Sequence, residues 1–361
     1  MKYCLFVILS FLIACTGNNK PEENKGVSLE LHLQETPTTA SLRGLSVVTT
    51  SVVWASGSGG TVIRTVDGGT SWQDCSVPGA DSLDFRDIEA FNENVAVILS
   101  AGLPARVYKT EDGGKSWVLR YENTTQGVFF DAMDFWDNQE GVAFSDPVDG
   151  KLLMIRTQDQ GNTWEEFTET ERPETKEGEA GFAASGTCLT VLPPGHIWIG
   201  TGGKASRVFH SVDKGKSWEV ANTPMLQGEA STGIFSLAFW NDKEGLAVGG
   251  NYLQDTLQKA NAMHTTDGGK TWSLLSLEGT TAGYRSGLAL GKTGGQKVAL
   301  AVGTSGMDYS LDQGNSWQNF SKEGQHAVAF APEGGVAWTS GADGKVMQLL
   351  IKEKSEKKPA L

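Results

Sequence analysis

The sequence predicts an all-β fold, a seven-bladed β-propeller with four-stranded antiparallel blades, and three observations predict it. The pattern S/T-x-D-x-G-x-S/T-W occurs six times, its aspartates recurring every 45 to 54 residues, the length of one four-stranded blade. The segments between copies are short runs of alternating apolar and polar residues separated by polar turns, as half-buried strands are. After the last copy three strand-like runs follow without a seventh box, while an unpaired alternating run, Val27 to Leu33, stands at the other end.

Residues 1–14 read as an export signal, with Lys2 followed by an apolar stretch too short to span a bilayer. The four residues Leu12-Ile13-Ala14-Cys15 resemble the bacterial lipobox. That resemblance implies an exported lipoprotein of the cell envelope, in the outer membrane, with a diacylated Cys15 as its mature N-terminus. Residues 15–26, polar and rich in turn formers, read as a flexible tether, and the charged 352–361 as a disordered tail.

Between them, residues 27–351 form the propeller. The template is clearest in Phe129 to Phe144, FFDAMDFWDNQEGVAF, and in Ile234 to Gly249: two short strands around a polar turn. A third strand leads into each box and a fourth leaves it, which places the box at the C–D turn of an A-B-C-D meander. The runs HAVAFA, VAWTSG and KVMQLLI supply A, B and C of a seventh blade. If Val27–Leu33 pairs beside Lys345–Ile351 as its D strand, the ring closes, sheet edges are protected, and no covalent C–D turn remains to carry a box.

Each position of the box has a turn-chemistry reason. The aspartates, Asp67, Asp112, Asp159, Asp213, Asp267 and Asp312, accept backbone N–H groups, the glycine two places on takes positive φ, and the hydroxyls satisfy nearby backbone. The tryptophans, Trp72, Trp117, Trp164, Trp218, Trp272 and Trp317, then bury a large face between neighbouring sheets.

Lys and Arg number 30 against 43 Asp and Glu, a net charge of −13, which argues against nucleic acid and against an anionic membrane surface as partners. Membrane contact is expected only through the N-terminal lipid, and the chain as a monomer. With Cys4 removed and Cys15 lipidated, Cys75 on an outer strand of blade 1 and Cys188 on the inner strand of blade 4 lie too far apart to pair.

The box is identified as the Asp-box or BNR repeat of the sialidase superfamily. It occurs in sialidases, xyloglucan-cleaving glycosidases, sortilin-type receptors and photosystem II assembly and stability factors. AFWNDKEGLAVGG and HTTDGGKTW make residues 40–351 most similar to the last group, which implies a non-catalytic binding or assembly module. Fold alone does not assign activity.

In a repeat array the departures from the template are where a site is sought. Length varies in the B–C and D–A connections, which share the face opposite the boxes. That face is the expected surface for a protein client or a glycan. Its polar and aromatic residues, Asp146, Asp149, Glu179, Arg207, Tyr252, Tyr284 and Arg285, are expected to converge on the central funnel. Asp146 with Glu179 is the candidate catalytic pair for the alternative reading, a glycoside hydrolase. A sialidase proper is disfavoured, since Arg64 and Arg106 precede boxes without an Arg-Ile-Pro motif. GTGGKAS lacks the first glycine of a phosphate loop, no dinucleotide fingerprint occurs, and the DGG turns lack the further ligands of a calcium loop. The five histidines are isolated in sequence, so no metal and no cofactor are expected.

Overall fold

The computed structural model describes residues 26–275 and 281–354; the signal, Cys15, nearly all of the tether and residues 355–361 lie outside the described residues. Among the described residues, strands and turns are the only regular structure, and seven sheets form the blades. The inner strands, in order, are Leu42–Val47, Asp84–Ala90, Phe130–Phe135, Leu189–Leu192, Thr232–Phe239, Gly287–Thr293 and Ala327–Phe330.

The ring closes as expected. Val27–Leu33 runs antiparallel to Val346–Glu353, with Leu29 opposite Ile351 and Leu31 opposite Leu349. Val27 and Ile351 are buried in one cluster with Val298 and Leu300 of blade 6, so closure also packs two blades together. The last strand extends beyond Ile351, and Lys352 forms an ion pair with Glu30 at 3.2 Å. Lys352 and Glu353, the start of the expected disordered tail, therefore belong to the sheet.

The boxes are hydrogen-bonded turns of one design. In the first, Thr65 Oγ1 donates to Asp67 Oδ1 at 2.8 Å and accepts from Gly69 N at 2.9 Å. Ser71 contributes its N–H to Oδ1 and its hydroxyl to Oδ2 of the same aspartate. Gly69 stands at φ 88°, open to glycine and strained for most other residues. Such bonds hold Asp67 and Asp112 below the ordinary carboxylate range, Asp112 at about 2, with the Ser71 and Ser116 hydroxyls the largest cause. The box tryptophans pack edge-on against neighbouring rings, Trp117 on Trp54 of blade 1 and Trp72 on Trp338 of blade 7.

Around the axis, side chains of one inner strand hold the backbone of the next. Ala90 N donates to Ser46 Oγ at 3.0 Å, Met133 N to Asp87 Oδ2 at 2.6 Å and Val191 N to Asp134 Oδ2 at 2.8 Å. Leu288 N donates to Ser236 Oγ at 2.8 Å, Ser286 Oγ to His326 O at 2.7 Å, and His326 Nδ1 to Leu42 O at 3.0 Å. Cys75 and Cys188 are buried free thiols.

Two of these links are carboxylates in a confined space. Burial raises Asp87 to about 8, against the Met133 and Ile88 amides and with added repulsion from Asp134. Burial likewise raises Asp134 to about 6, and Glu89, between them, well above the usual range. A carboxyl whose folded pKa is raised stabilises the fold most when protonated, and that contribution is lost as pH rises through the folded value. His326 and His210, lowered by burial to about 4, act in the opposite sense, but only below the unfolded histidine pKa of about 6.5. Between about pH 6.5 and about pH 8, stability should therefore fall by about 2 kcal/mol for Asp87 alone. Chemical denaturation across that range should show the fall, and Asp87→Asn should flatten it; an unchanged slope in the variant would refute this assignment.

Candidate functional site

The inner strands share a template in which two apolar residues alternate, as in Leu45 and Val47 or Leu237 and Phe239. Two residues before the first of these lies a position that differs in every blade except the first two. In blade order it is Arg43, Arg86, Asp131, Thr187, Phe235, Ser286 and His326. In blades 1, 2, 3 and 5 it is the extra residue of a β-bulge, skipped in the pairing with strand B. Asp146 is skipped in the same way between Ser145 and Pro147 of blade 3. A bulge re-aims its side chain out of the regular pleat. Here the bulged residues all point into one axial cavity of about 400 Å³ on the face opposite the boxes.

The connection from blade 3 to blade 4 crosses the axis and closes the bottom of this cavity. Arg43 Nη1 donates to Ala184 O and Arg86 Nη1 to Ala183 O, each at 3.2 Å, and Ser185 Oγ donates to Ser286 O at 2.6 Å. Three blades remote in sequence thus hold one short stretch of backbone. Its Phe182 stacks on Phe235 with centroids 3.8 Å apart, and Phe235 meets Tyr284 edge-on at 4.7 Å and Tyr252 at 6.1 Å.

The cavity wall is divided by chemistry. Blades 1 and 2 supply Arg43 and Arg86; blade 3 supplies Asp131 and Asp146; blades 5 and 6 with Phe182 supply an aromatic sector. Arg86 is engaged by Asp84 at 2.8 Å, whereas Arg43 has no ion-pair partner among the described residues. Burial, then the Arg86 charge, pulls the Arg43 guanidinium below its ordinary value. Burial and the Arg43 charge keep His326 neutral near pH 7. Asp146 accepts the Gly181 N–H at 2.9 Å and is still raised by burial to about 6.

Of the residues singled out from sequence, Asp146, Tyr252 and Tyr284 meet in the cavity. The other four do not converge on it. Glu179 is fully buried, accepting from Arg207 Nε at 2.9 Å and from Thr201 Oγ1 at 2.6 Å, so Glu179 and Arg207 neutralise each other beneath the loop. Arg285 is buried and bound to Asp308 Oδ2 at 2.7 Å, and Asp149 is an exposed turn residue at φ 55°. Asp146 and Glu179 therefore do not face one another across a shared space. Arg43, Arg86, Asp131, Phe235 and His326 were not anticipated, although aligning the seven inner strands marks their common position.

Glu179 also anchors an added pairing, Glu179–Ala180 on Gly202–Gly203, which joins the inner strand of blade 5 through Gly202 and Gly233. This fixes the stretch from which Phe182 projects. His196 and His210, isolated in sequence, hydrogen-bond at 3.1 Å across blade 4 and stack with Trp198. Among the described residues no three His, Cys, Asp or Glu side chains are grouped to hold a metal ion.

Fold and cavity together define a seven-bladed propeller of the BNR/Asp-box type. The BNR/Asp-box repeat family matches residues 263–274, the fifth box with the strands either side of it. No curated protein sequence matches the chain. Among solved structures, "YCF48 bound to D1 peptide" is similar at 17% identity and a TM-score of 0.61, over 89% of this chain and 96% of that one. "YCF48 from Cyanidioschyzon merolae" is similar at 16% identity and a TM-score of 0.56, over 88% and 98%. A chain of a mitotic checkpoint complex is similar at 10% identity and a TM-score of 0.59, over 96% and 99%. At these identities the likeness is one of fold.

The placement of Glu179 gives a direct test. Replacing it with alanine strands a buried guanidinium at Arg207, at a cost of about 3 kcal/mol. Urea unfolding of Glu179→Ala should show that loss, and the double variant with Arg207→Met should recover part of it; additive losses would contradict the coupling.

Proposed function

We propose that this chain is a lipid-anchored module of the bacterial envelope that holds an extended segment of a protein client in its axial cavity and performs no catalysis. The observation that carries this reading is the divided cavity wall. A guanidinium without a carboxylate partner among the described residues, two carboxyls and an aromatic cluster face one space of roughly the size that takes two or three amino-acid side chains. Arg43 offers planar N–H donors to a carbonyl or carboxylate, and the Phe182, Phe235, Tyr252 and Tyr284 rings offer apolar faces. Leu253, 73% exposed beside Tyr252 on the insertion of blade 5, extends the apolar surface outward from the rim. The likeness to a YCF48 structure bound to a D1 peptide supports a peptide-like client.

The competing reading is a glycoside hydrolase, and it now rests on Asp131 and Asp146 rather than on Asp146 and Glu179. Two carboxyls in one cavity with raised pKa values are the ingredients of such a site. Photocrosslinking and affinity capture from membranes should give one discrete protein client with the wild type, with recovery lowered about tenfold or more by Arg43→Ala and by Phe235→Ala. Turnover of any glycan that Asp146→Asn abolishes would overturn the binding reading.

The anchor is tested separately. With Cys15 lipidated and residues 16–26 as the tether, Cys15→Ser should move the protein from the membrane to the soluble fraction without changing its thermal melting. Retention in the membrane would refute lipidation at this position.

A further inference from the structure

Asp131 stands apart from the other acids near the axis. It is 1% exposed and lines the cavity, yet neither carboxyl oxygen makes a well-formed hydrogen bond, the Ala183 amide giving only weak support. Asp87 and Asp134, on the same ring of inner strands, each accept two backbone N–H groups. A buried carboxyl so poorly supplied with donors is costly to keep. The bulge that aims it inward makes the arrangement a feature of the backbone rather than of one rotamer.

Among the described residues no cation forms an ion pair with it. Arg86, whose charge acts on it, is committed to Asp84 and to Ala183 O. Asp146 lines the cavity beside it, and the two carboxyls converge on Gly181. Asp146 Oδ1 accepts the Gly181 N–H, and a methyl group at Gly181 would lie 2.3 Å from Asp131 Oδ2. A side chain at position 181 would therefore collide with the Asp131 carboxyl. Burial, then the Asp146 charge, raises Asp131 well above the ordinary carboxylate range, against weaker help from Arg86 and the Ala183 amide. A bound cation would favour the ionised form that burial disfavours here.

We infer that Asp131 and Asp146 form a subsite for a primary ammonium group of the client, either a lysine side chain or a chain N-terminus, entering beside the aromatic sector. An ammonium has three donors and no acceptor, which suits two adjacent carboxyls with free lone pairs and an aromatic wall alongside. This rests on the peptide-binding reading above and specifies the charge that the client must carry.

Three dipeptide amides test it by isothermal titration or NMR shift perturbation: N-acetyl-Phe-Lys amide, its neutral counterpart N-acetyl-Phe-norleucine amide, and Phe-norleucine amide with a free N-terminus. The wild type should prefer one or both ammonium-bearing peptides to the neutral one by about tenfold or more, and which one it prefers distinguishes side chain from terminus. Asp131→Asn should abolish the preference while melting at or above the wild-type temperature, because the amide cannot ionise at this buried position. Gly181→Ala, which blocks access to Asp131, should abolish it as well. Equal binding of all three peptides by the wild type, no binding of any, or a preference that survives Asp131→Asn would overturn the inference. If membrane capture still depends on Arg43 while the ammonium preference is absent, this inference fails alone. If capture fails, the binding reading falls independently of the dipeptide result.

Discussion

Asp87 and Asp134 each reach from the inner strand of one blade to a backbone amide of the next, and the rest of the ring is held at its axis by bonds of the same kind. A propeller blade packs on its neighbours farther out through apolar contacts, which are non-directional. Near the axis a hydrogen bond has a narrow range of length and angle, so these links fix the spacing of the inner strands. In blades 1, 5 and 6 a serine hydroxyl serves. In blades 2 and 3 a carboxyl does so, at the cost of confining charge, and that cost is the origin of the raised Asp87 and Asp134 values.

Fixed strand spacing is what allows one variable position per blade to become a site. The bulges turn Arg43, Arg86, Asp131 and Phe235 toward the axis, and the ring sets the distances among them before any ligand arrives. The connection that closes the cavity from below is held by Arg43, Arg86 and Ser185 and, at its outer end, by the buried Glu179–Arg207 pair. Residues far apart in the chain thus preorganise a short stretch that on its own would have little reason to adopt one shape.

The fold was legible in the sequence because its signals are local. Asp67 with Ser71, or Asp267 with Thr271, makes its bonds within four residues, and the alternation of Val27–Leu33 states which face is buried before its partner is known. The face opposite the boxes was legible too, through loop length. The membership of the site was not. Glu179 and Arg207 lie in variable loops and carry the right chemistry, but their mutual pairing removes them from the cavity, and sequence spacing gives no measure of that. Arg285 is removed by Asp308 in the same way. Arg43 and Asp131 lie inside strands, where the repeat template directs attention to packing, and a bulge leaves no residue-type signature of its own. Their signal is comparative: one position of a sevenfold template that differs between blades while the apolar positions beyond it persist.

The division of the cavity wall has a consequence for how a segment lies in it. A chain of net charge −13 has a far field that favours cationic partners, but the cavity wall carries Arg43 and Arg86 on blades 1 and 2 beside Asp131 and Asp146 on blade 3. A segment bound as proposed would meet adjoining cationic and anionic sectors and, from blades 5 and 6, aromatic faces. Reversing its direction would set like charges against each other in a site of low dielectric, where such contacts cost several kcal/mol. A uniformly basic or uniformly aromatic cavity would bind a segment in either direction. The order of the bulged residues around the ring, Arg43 and Arg86 on blades 1 and 2, Asp131 on blade 3 and Phe235 on blade 5, would select one.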